Sequence, residues 1–326
     1  MRTFSYVRAA SPGEAVGLYR PGAAYLGGGT NLVDLMRLGV AAPDQVIDVT
    51  GATGDSISES DDGGLRIGAG VRNSDLATHP VVRERYPLLA RAVLTGASGQ
   101  IRNMATVVGN LLQRTRCPYF QDTGMPCNKR EPGSGCQATA PGADTEHLAI
   151  LGHSPSCVAT HPSDMAVALT ALGARVRLAG PDGDRWVEMP GLHRLPDDTP
   201  ERDTVLHPGE LITDVELPPP PDGRSTYRKV RERASFAFAL VSLAAVLDVG
   251  PDGRVRDLRL ALGGVAHVPW RAHTAERAAR SLPATPETFA RAAGEELRTA
   301  RPLPGNEYKV TLARNLIVAV LEELAP

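Results

Sequence analysis

The stretch YLGGGTNLVDLM, residues 25–36, places three consecutive glycines between a predicted strand and a predicted helix. Consecutive glycines let backbone amides approach a ligand closely, and a helix N-terminus adds partial positive charge. Both features suit a cradle for a pyrophosphate group. The stretch lacks the G-x-G-x-x-G spacing of dinucleotide loops and the Gly-Lys-Ser/Thr ending of triphosphate loops. On spacing alone, a tight strand-to-helix turn explains the glycines equally well.

The composition of the 326 residues is that of a soluble globular protein, with 42% hydrophobic and 22% charged residues. A net charge of −2 and 4% aromatic residues give no reason to expect nucleic acid as a partner. We find no signal peptide and no run long enough to insert into a membrane. We therefore expect a cytoplasmic protein, or a periplasmic one if a partner subunit with a signal exports it.

The chain divides into two predicted domains, residues 1–222 and 223–326. The boundary falls in PPPPDGRSTY, residues 218–227, because consecutive prolines cannot join a helix or the interior of a sheet. In the first domain we predict a hairpin turning at DDGG, residues 61–64, and a helix that begins at Asn73 or Ser74. In the second we predict two long strands around a GPDG turn and helices near 274–281, 286–299 and 307–324.

Two further stretches offer small polar residues where chain elements change. IRNMATVVGNLLQ, residues 101–113, presents Thr106, Gly109 and Asn110 in a turn after a predicted helix. ATHPSDMAVALTALGA, residues 159–174, presents Ser163 and Asp164 at a helix start. There a plain helix cap explains Asp164 as well as contact with a ligand does.

All four cysteines lie between residues 117 and 157, at Cys117, Cys127, Cys136 and Cys157. Most of this segment is broken by prolines and glycines, so we predict no helix or strand of useful length from 113 to 146. Two disulfides would need an oxidising compartment, and a zinc site normally includes a close C-x₂₋₄-C pair that is missing here. An iron–sulfur cluster needs no particular spacing. The spacing leaves all three open and favours the cluster.

Taken together, these stretches resemble the FAD-binding (medium) subunits of the xanthine dehydrogenase family of molybdenum hydroxylases, over nearly the whole chain. The resemblance implies an α+β fold. It would consist of a two-subdomain FAD-binding domain of the PCMH or CO dehydrogenase flavoprotein type and a smaller α+β C-terminal domain.

The resemblance also implies which residues contact FAD. The glycine loop would wrap the pyrophosphate, ATVVGN would close on the same cofactor, and the motif PSD would add a contact. Ile212 in GELITDVELP would lie against the flavin, and Lys229 in YRKVRERASFAFALVSLAAVL would lie near the cofactor. The implied FAD-binding residues are Leu26, Gly27, Gly28, Gly29, Thr30, Asn31, Leu32, Thr106, Gly109, Asn110, Ser163, Asp164, Ile212 and Lys229. No residue of this chain is implied as an acid, base or nucleophile.

The cysteine segment, inserted at about 113–157, is typical of only a minority of that family. RCPYFQDTGMPCNKREPGSGC, residues 116–136, resembles the loop of bacterial aldehyde oxidoreductases, which holds a 4Fe–4S cluster. The resemblance therefore implies four metal ligands, Cys117, Cys127, Cys136 and Cys157. Around such a cluster we expect positive charge from Arg116, Lys129 and Arg130, and backbone amides from Gly133, Ser134 and Gly135 pointing at the sulfurs.

The implied function is electron transfer within a heterotrimeric molybdenum-dependent aldehyde oxidoreductase. A large subunit would carry the molybdenum cofactor, a small subunit would carry 2Fe–2S centres, and this chain would pass electrons through FAD to an external acceptor. NAD-reducing relatives carry an aromatic residue facing the flavin. LTGASGQIRNM, residues 94–104, has none, which argues against NAD. The alternatives are an FAD subunit resembling that of 4-hydroxybenzoyl-CoA reductase, a stand-alone flavin oxidase, or a zinc-binding assembly protein.

Overall fold

The computed structural model describes residues 1–326 and contains three β-sheets. The first is a parallel sheet in the order β1–β3–β2, with helices α1 and α2 in the connections. Its central strand is buried at all four positions because it has a neighbour on each side. The elements are β1 Ser5–Arg8, α1 Pro12–Leu18, β2 Ala23–Leu26, α2 Leu32–Arg37 and β3 Gln45–Asp48.

The second sheet is antiparallel and has the order β4–β5–β8–β6–β7. Its first two strands form the hairpin that the DDGG turn predicts. The strand β8 arrives last along the chain and pairs between β5 and β6, which places the segment around Ile212 in the middle of the sheet. The strands are β4 Ile57–Glu59, β5 Leu65–Gly68, β6 Arg175–Ala179, β7 Arg185–Glu188 and β8 Leu211–Leu217.

Between β5 and β8 the chain forms eight helices, most of them short. One begins at Asn73, as predicted. The segment VVRERYPLLARAVLTGAS, residues 81–98, has Val82, Tyr86, Leu89 and Val93 at helical spacing, yet it forms two helices that break before Pro87. Proline lacks an N–H donor and disfavours helical backbone at the residue before it, here Tyr86. The helices are α3 Asn73–Thr78, α4 Pro80–Arg85, α5 Pro87–Thr95, α6 Gly99–Met104, α7 Val107–Leu111, α8 Pro118–Gln121, α9 Asp164–Leu172 and α10 Met189–Leu192.

The third sheet, in the order β12–β11–β10–β9, lies in the C-terminal part of the chain. Its two long strands flank the GPDG turn, and three helices follow, as predicted from the sequence. None of the helices combines the length and the apolarity needed to cross a bilayer. The elements are β9 Arg224–Val230, β10 Val241–Val249, β11 Val255–Gly263, β12 Trp270–Arg271, α11 His273–Ala279, α12 Pro286–Leu297 and α13 Tyr308–Leu324.

Helix α9 joins the two halves of the molecule. All nine of its residues are buried, and its side chains share one hydrophobic core with Tyr227, Val246 and other residues of the C-terminal sheet. Ser163 caps it by accepting a hydrogen bond from the Ala166 amide, and Gly173 ends it with φ of +72°. The C-terminal sheet therefore completes the core of the first half.

The segment from 113 to 162 contains only α8 and a short 3₁₀ turn, Gln137–Thr139, which confirms the expectation of irregular structure. Side chains from α13 and from the turn before it hold this segment in place. Asn306 donates its amide to the carbonyls of Thr145 and Leu148, and Lys309 donates to the Leu148 carbonyl at 2.9 Å. Because Lys309 is fully buried, its pKa is lowered to about 7.

The contact between α9 and β11 predicts the effect of filling the space at Gly263. A Cβ there would lie 2.7 Å from Val167 Cγ2 and 2.3 Å from the Ser242 hydroxyl. We expect Gly263→Ala to lower the free energy of unfolding by about 1–3 kcal/mol through overpacking. Urea denaturation measures this, with Gly294→Ala as the control because nothing lies within 4 Å of its Cβ. Equal stability of the two variants would show that the halves are not closely packed here.

Candidate cofactor sites

A cavity of about 530 Å³ lies beside the glycine loop, between the parallel sheet and the five-stranded sheet. We call it the glycine-loop cavity. It is lined by residues from three stretches that the sequence singles out: Gly27, Gly28, Gly29, Thr30, Asn31, Leu32, Thr106, Gly109 and Ile212. The fold therefore brings the glycine loop, the ATVVGN turn and strand β8 to one cavity.

The glycines of this loop are required by close approach of two backbones. A Cβ at Gly28 would lie 1.9 Å from the carbonyl oxygen of Met104, which allows no other residue without moving the chain. Gly29 has φ of +75°, a conformation that side chains rarely adopt. Thr106 stands beside the loop and caps α7 by accepting a hydrogen bond from the Gly109 amide.

Asn31 provides an unused donor at the same place. Its Oδ1 accepts a hydrogen bond from the Arg114 amide at 3.0 Å, whereas its buried Nδ2 has no partner. A buried polar atom without a partner is rare, and a ligand oxygen would satisfy it. Helix α2 has only six residues, so the expected charge of its N-terminus contributes little, and the amides and Asn31 are the main donors. These features fit FAD.

A second cavity of about 280 Å³ adjoins the first through Thr30, Asn31 and Gly109. We call it the lysine cavity, because Asp164 and Lys229 form an ion pair in its wall. Lys229 Nζ lies 2.8 Å from Asp164 Oδ2, and the two side chains are 3% and 8% exposed. A buried ion pair persists only when its remaining donors and acceptors are also satisfied.

Tyr227 and Thr95 complete this pair. The Tyr227 hydroxyl donates to Asp164 Oδ1, and Lys229 also donates to the Thr95 carbonyl at 3.3 Å. Burial, followed by the neighbouring carboxylate, raises the pKa of Tyr227 well above its usual value, so the hydroxyl keeps its proton. Asp164 is the first residue of α9 rather than its cap, and its carboxylate joins the two halves of the molecule.

The other implied FAD residues have varied positions. Asn110 lines the lysine cavity, and its Oδ1 accepts from the Ser163 hydroxyl at 2.5 Å. Ser163 itself lines a third cavity, of about 380 Å³, on the side of the cysteine segment. Leu26 does not line either the glycine-loop cavity or the lysine cavity, because its side chain turns toward Gly29 and packs beneath the loop.

The four cysteines converge on one small enclosed space beside α8. All four line it, none forms a disulfide, and Cys117, Cys127 and Cys157 are buried. Backbone hydrogen bonds of an isolated antiparallel β-bridge pair Cys127 with Cys136, and a second β-bridge pairs Ser154 with Cys157. The long intervals in sequence therefore close into a single set of four sulfur donors, the ligand type that iron–sulfur clusters use.

The distances between these sulfurs distinguish two kinds of metal site. In a tetrahedral zinc site with Zn–S bonds of about 2.3 Å, the sulfurs lie about 3.8 Å apart. No three of the cysteine sulfurs lie within 4.8 Å of one another. A four-iron cube spreads its ligands more widely, so the donor set fits a cluster better than a single zinc ion.

Backbone amides surround the sulfurs, but they differ from those expected. Burial raises the pKa of Cys117 to about 12, and hydrogen bonds from the amides of Phe120 and Tyr119 act in the opposite direction. Cys157 receives a comparable bond from Ala159. The amides come from the residues that follow each cysteine, whereas the Gly135 amide donates to Asn128 Oδ1. The expectation that residues 133–135 supply these bonds is therefore not met at Gly135.

The three cations expected around the cluster have separate roles. Lys129 is buried and donates to the Pro200 carbonyl at 2.6 Å and to Asp203. Arg130 donates to carbonyls within the loop, those of residues 119, 120 and 125, and so fixes its shape. Arg116 lies over the ring of Phe238 and faces the lysine cavity. Only Lys129 is both buried and adjacent to the cysteine loop.

Family comparison is consistent with this geometry. Residues 2–220 match the family described as FAD binding domain in molybdopterin dehydrogenase, and residues 225–324 match the CO dehydrogenase flavoprotein C-terminal domain. The chain belongs to the FAD-binding subunits of the molybdenum hydroxylase family. The members of this family are oxidoreductases.

Two relatives show how close the resemblance is. The chain is 50% identical to the aldehyde oxidoreductase FAD-binding subunit PaoB of Escherichia coli, and the match covers 99% of this chain and 98% of that protein. It is 30% identical to the glyceraldehyde dehydrogenase medium chain of Sulfolobus acidocaldarius, covering 84% of this chain and 80% of that protein.

Solved structures confirm the α+β fold expected of an FAD-binding subunit. The carbon monoxide dehydrogenase of Hydrogenophaga pseudoflava has a chain that superposes with a TM-score of 0.75 at 25% identity, covering 99% of this chain and 97% of that one. A chain of quinoline 2-oxidoreductase from Pseudomonas putida gives the same TM-score at 23% identity and the same coverage.

Some residues of this FAD-binding subunit were not found from the sequence. Tyr227 fixes the Asp164–Lys229 pair from two positions before the lysine, in a strand whose pattern shows only burial. Phe236 and Phe238 supply aromatic rings to the lysine cavity, although the segment from 94 to 104 has none. Phe236 also has a positive φ of +53°. The sequence feature that indicates them is the pair of phenylalanines in RERASFAF, residues 231–238.

The close approach at Gly28 predicts a specific effect on flavin binding. In Gly28→Ala the new methyl group meets the Met104 carbonyl, so the loop must move and its amides must turn away. We expect the FAD dissociation constant, measured by flavin fluorescence, to rise at least tenfold, which corresponds to a loss of about 1.4 kcal/mol of binding free energy. The control is Gly99→Ala, whose Cβ has no neighbour within 4 Å. Unchanged affinity in Gly28→Ala would exclude the loop from the FAD site.

The buried pair in the lysine cavity predicts a large loss of stability on removing one charge. Lys229→Met leaves the Asp164 carboxylate buried without a cation, and we expect the free energy of unfolding to fall by about 3–5 kcal/mol. Arg228→Met is the matched control on the same strand, because Arg228 pairs with Glu323 at the surface, where such pairs contribute about 0–1 kcal/mol. Equal urea midpoints for the two variants would contradict the assignment.

Proposed function

We propose that this chain is the FAD- and 4Fe–4S-binding electron-transfer subunit of a heterotrimeric molybdenum-dependent aldehyde oxidoreductase. The observation that carries the proposal is a set of four free cysteines, gathered around one space, inside a fold of the FAD-binding family. The 50% identity to an aldehyde oxidoreductase FAD-binding subunit over almost the full length of both chains supports aldehydes as the substrate class.

The residues that would hold FAD are those of the glycine-loop cavity and the lysine cavity. Amides of the glycine loop and the free Nδ2 of Asn31 would bind phosphate oxygens, because the loop lines the cavity and the buried Nδ2 has no partner. The Asp164–Lys229 pair would orient a polar edge of the cofactor. When bound, FAD supplies the ability to accept two electrons and to release them one or two at a time.

The four cysteines would hold the cluster, and the surrounding packing would keep water from it. Phe120, Leu148 and Val158 are buried against the cysteines and form an apolar shell. Such a shell lowers the local dielectric constant and thereby influences the reduction potential of a bound cluster. Lys129 is the buried cation nearest in sequence to the ligands.

The proposed partners are a large subunit with the molybdenum cofactor, where the aldehyde is oxidised, and a small subunit with 2Fe–2S centres. Both relatives described above are named as a subunit or a chain of a larger enzyme, which supports an assembly of this kind. In that assembly this chain would receive electrons and deliver them to an external acceptor.

The proposal is tested by co-expressing this chain with its neighbouring genes and purifying the complex through a tag on this chain. We expect copurification of two partners, one FAD and one additional four-iron cluster assigned to this chain, and oxidation of aldehydes with an artificial acceptor. A flavin-free protein that binds zinc would overturn the proposal in favour of an assembly protein. A flavoprotein that oxidises a substrate without partners would overturn it in favour of a stand-alone oxidase.

The ligand assignment predicts the result of a single substitution in this complex. Cys127→Ser replaces a thiolate with a poor iron ligand, so we expect loss of the iron and acid-labile sulfide that belong to this chain. The control is Met125→Ala, an exposed side chain in the same loop, which should retain both. Unchanged iron content in Cys127→Ser would remove that residue from the ligand set.

A further inference from the structure

Asp203 lies between the two candidate cofactor sites and binds a cation from each side. Arg114 Nε donates to its Oδ2 at 2.7 Å, and Lys129 donates to its Oδ1. The Lys129 side chain is 1% exposed, and its other partner is the neutral Pro200 carbonyl. Asp203 is therefore the only carboxylate paired with this buried ammonium group, and burial makes such a partner necessary.

The Lys129 side of this contact leads to the cysteine ligands. Lys129 is two residues from Cys127, in a loop that is closed by the backbone β-bridge between Cys127 and Cys136. Its neighbour Asn128 accepts a hydrogen bond from the Gly135 amide and donates to the Ser156 carbonyl, next to Cys157. A shift of Lys129 would therefore move the segments that carry three of the four sulfurs.

The Arg114 side leads to the FAD site. The Arg114 amide donates to Asn31 Oδ1, which fixes the amide group whose free Nδ2 serves the glycine-loop cavity. The Arg114 guanidinium lies 4.7 Å from the ring centre of Phe120, in the helix that starts directly after Cys117. Arg114 itself lines the glycine-loop cavity. One residue thus lines the FAD site and contacts Phe120 in the wall of the cysteine site.

We propose that Asp203 is a positioning residue that couples the two cofactor sites, so that an assembled cluster strengthens FAD binding and bound FAD strengthens cluster retention. The inference rests on the proposed function, because it requires that the cysteines hold a cluster. Filling the cysteine site orders Lys129, Lys129 orders Asp203, and Asp203 holds Arg114 and Asn31 in the arrangement that binds FAD. Thermodynamic linkage makes the two effects equal in size.

The test is a double-mutant cycle on the assembled complex. FAD dissociation constants are measured by fluorescence for the wild type, Cys127→Ser, Asp203→Asn and the double variant. We expect Cys127→Ser to weaken FAD binding about tenfold in the wild-type background, within the usual range of allosteric coupling. In the Asp203→Asn background it should have no further effect. Asp198→Asn, which removes an exposed charge from the same segment, is the matched control and should retain the tenfold effect.

Two further variants separate positioning from simple stability. Asp203→Glu keeps the charge and should restore at least part of the coupling. If Asp203→Asn does not fold, Lys129→Gln combined with Asp203→Asn removes the buried charge together with its partner, and it should bind FAD without coupling. The reciprocal measurement is the rate of iron loss to a chelator, which should rise when FAD is stripped from the wild type but not when it is stripped from the uncoupled variants.

The outcomes distinguish this inference from the proposed function. A wild-type complex that contains FAD but no cluster in this chain would overturn both. A wild-type chain with FAD and four irons, in which Cys127→Ser weakens FAD binding equally in every background or not at all, would overturn the coupling and leave the proposed function intact.

Discussion

The ion pair between Asp164 and Lys229 at the start of helix α9 is the contact on which the arrangement of the molecule depends. Asp164 follows the cysteine segment in the chain and is the first residue of α9, a helix that is buried along its whole length. It pairs with Lys229 in β9, a strand of the C-terminal sheet. Tyr227 and the Thr95 carbonyl satisfy the remaining atoms. Because both charges are buried, neither half of the molecule can move away without leaving one of them unpaired.

The two segments that form the cofactor sites have little regular structure, and each is held by the rest of the fold. The glycine loop lies against the Met104 carbonyl, and the cysteine segment is fixed by Lys309 of α13 and by Asn306 in the turn before it. A long loop loses conformational entropy on ordering, and metal ligation offsets that loss. A cluster in this segment would therefore affect the fold as well as electron transfer.

Local chemistry explains which features the sequence could predict. The glycine loop, the DDGG hairpin and the irregular cysteine segment follow from backbone preferences of glycine and proline, which act over a few residues. The break at Pro87 is also a local effect of proline, although the hydrophobic spacing continues across it. The family resemblance supplied the order of the FAD-contacting stretches. The contacts that orient these stretches join residues far apart in sequence, so local preferences do not predict them. Lys129 and Asp203 are separated by 74 residues, and no neighbouring residue of either one indicates that they pair.

The central claim is that this chain itself holds both FAD and a four-iron cluster. Mössbauer spectroscopy of the ⁵⁷Fe-labelled chain, expressed without its partners and combined with flavin analysis, tests it most directly, because no iron from a small subunit contributes. The account predicts one FAD per chain and a single spectrum of a 4Fe–4S cluster that disappears in Cys127→Ser. A spectrum of isolated iron, or a flavin-containing chain whose cysteines bind zinc or no metal, would contradict it.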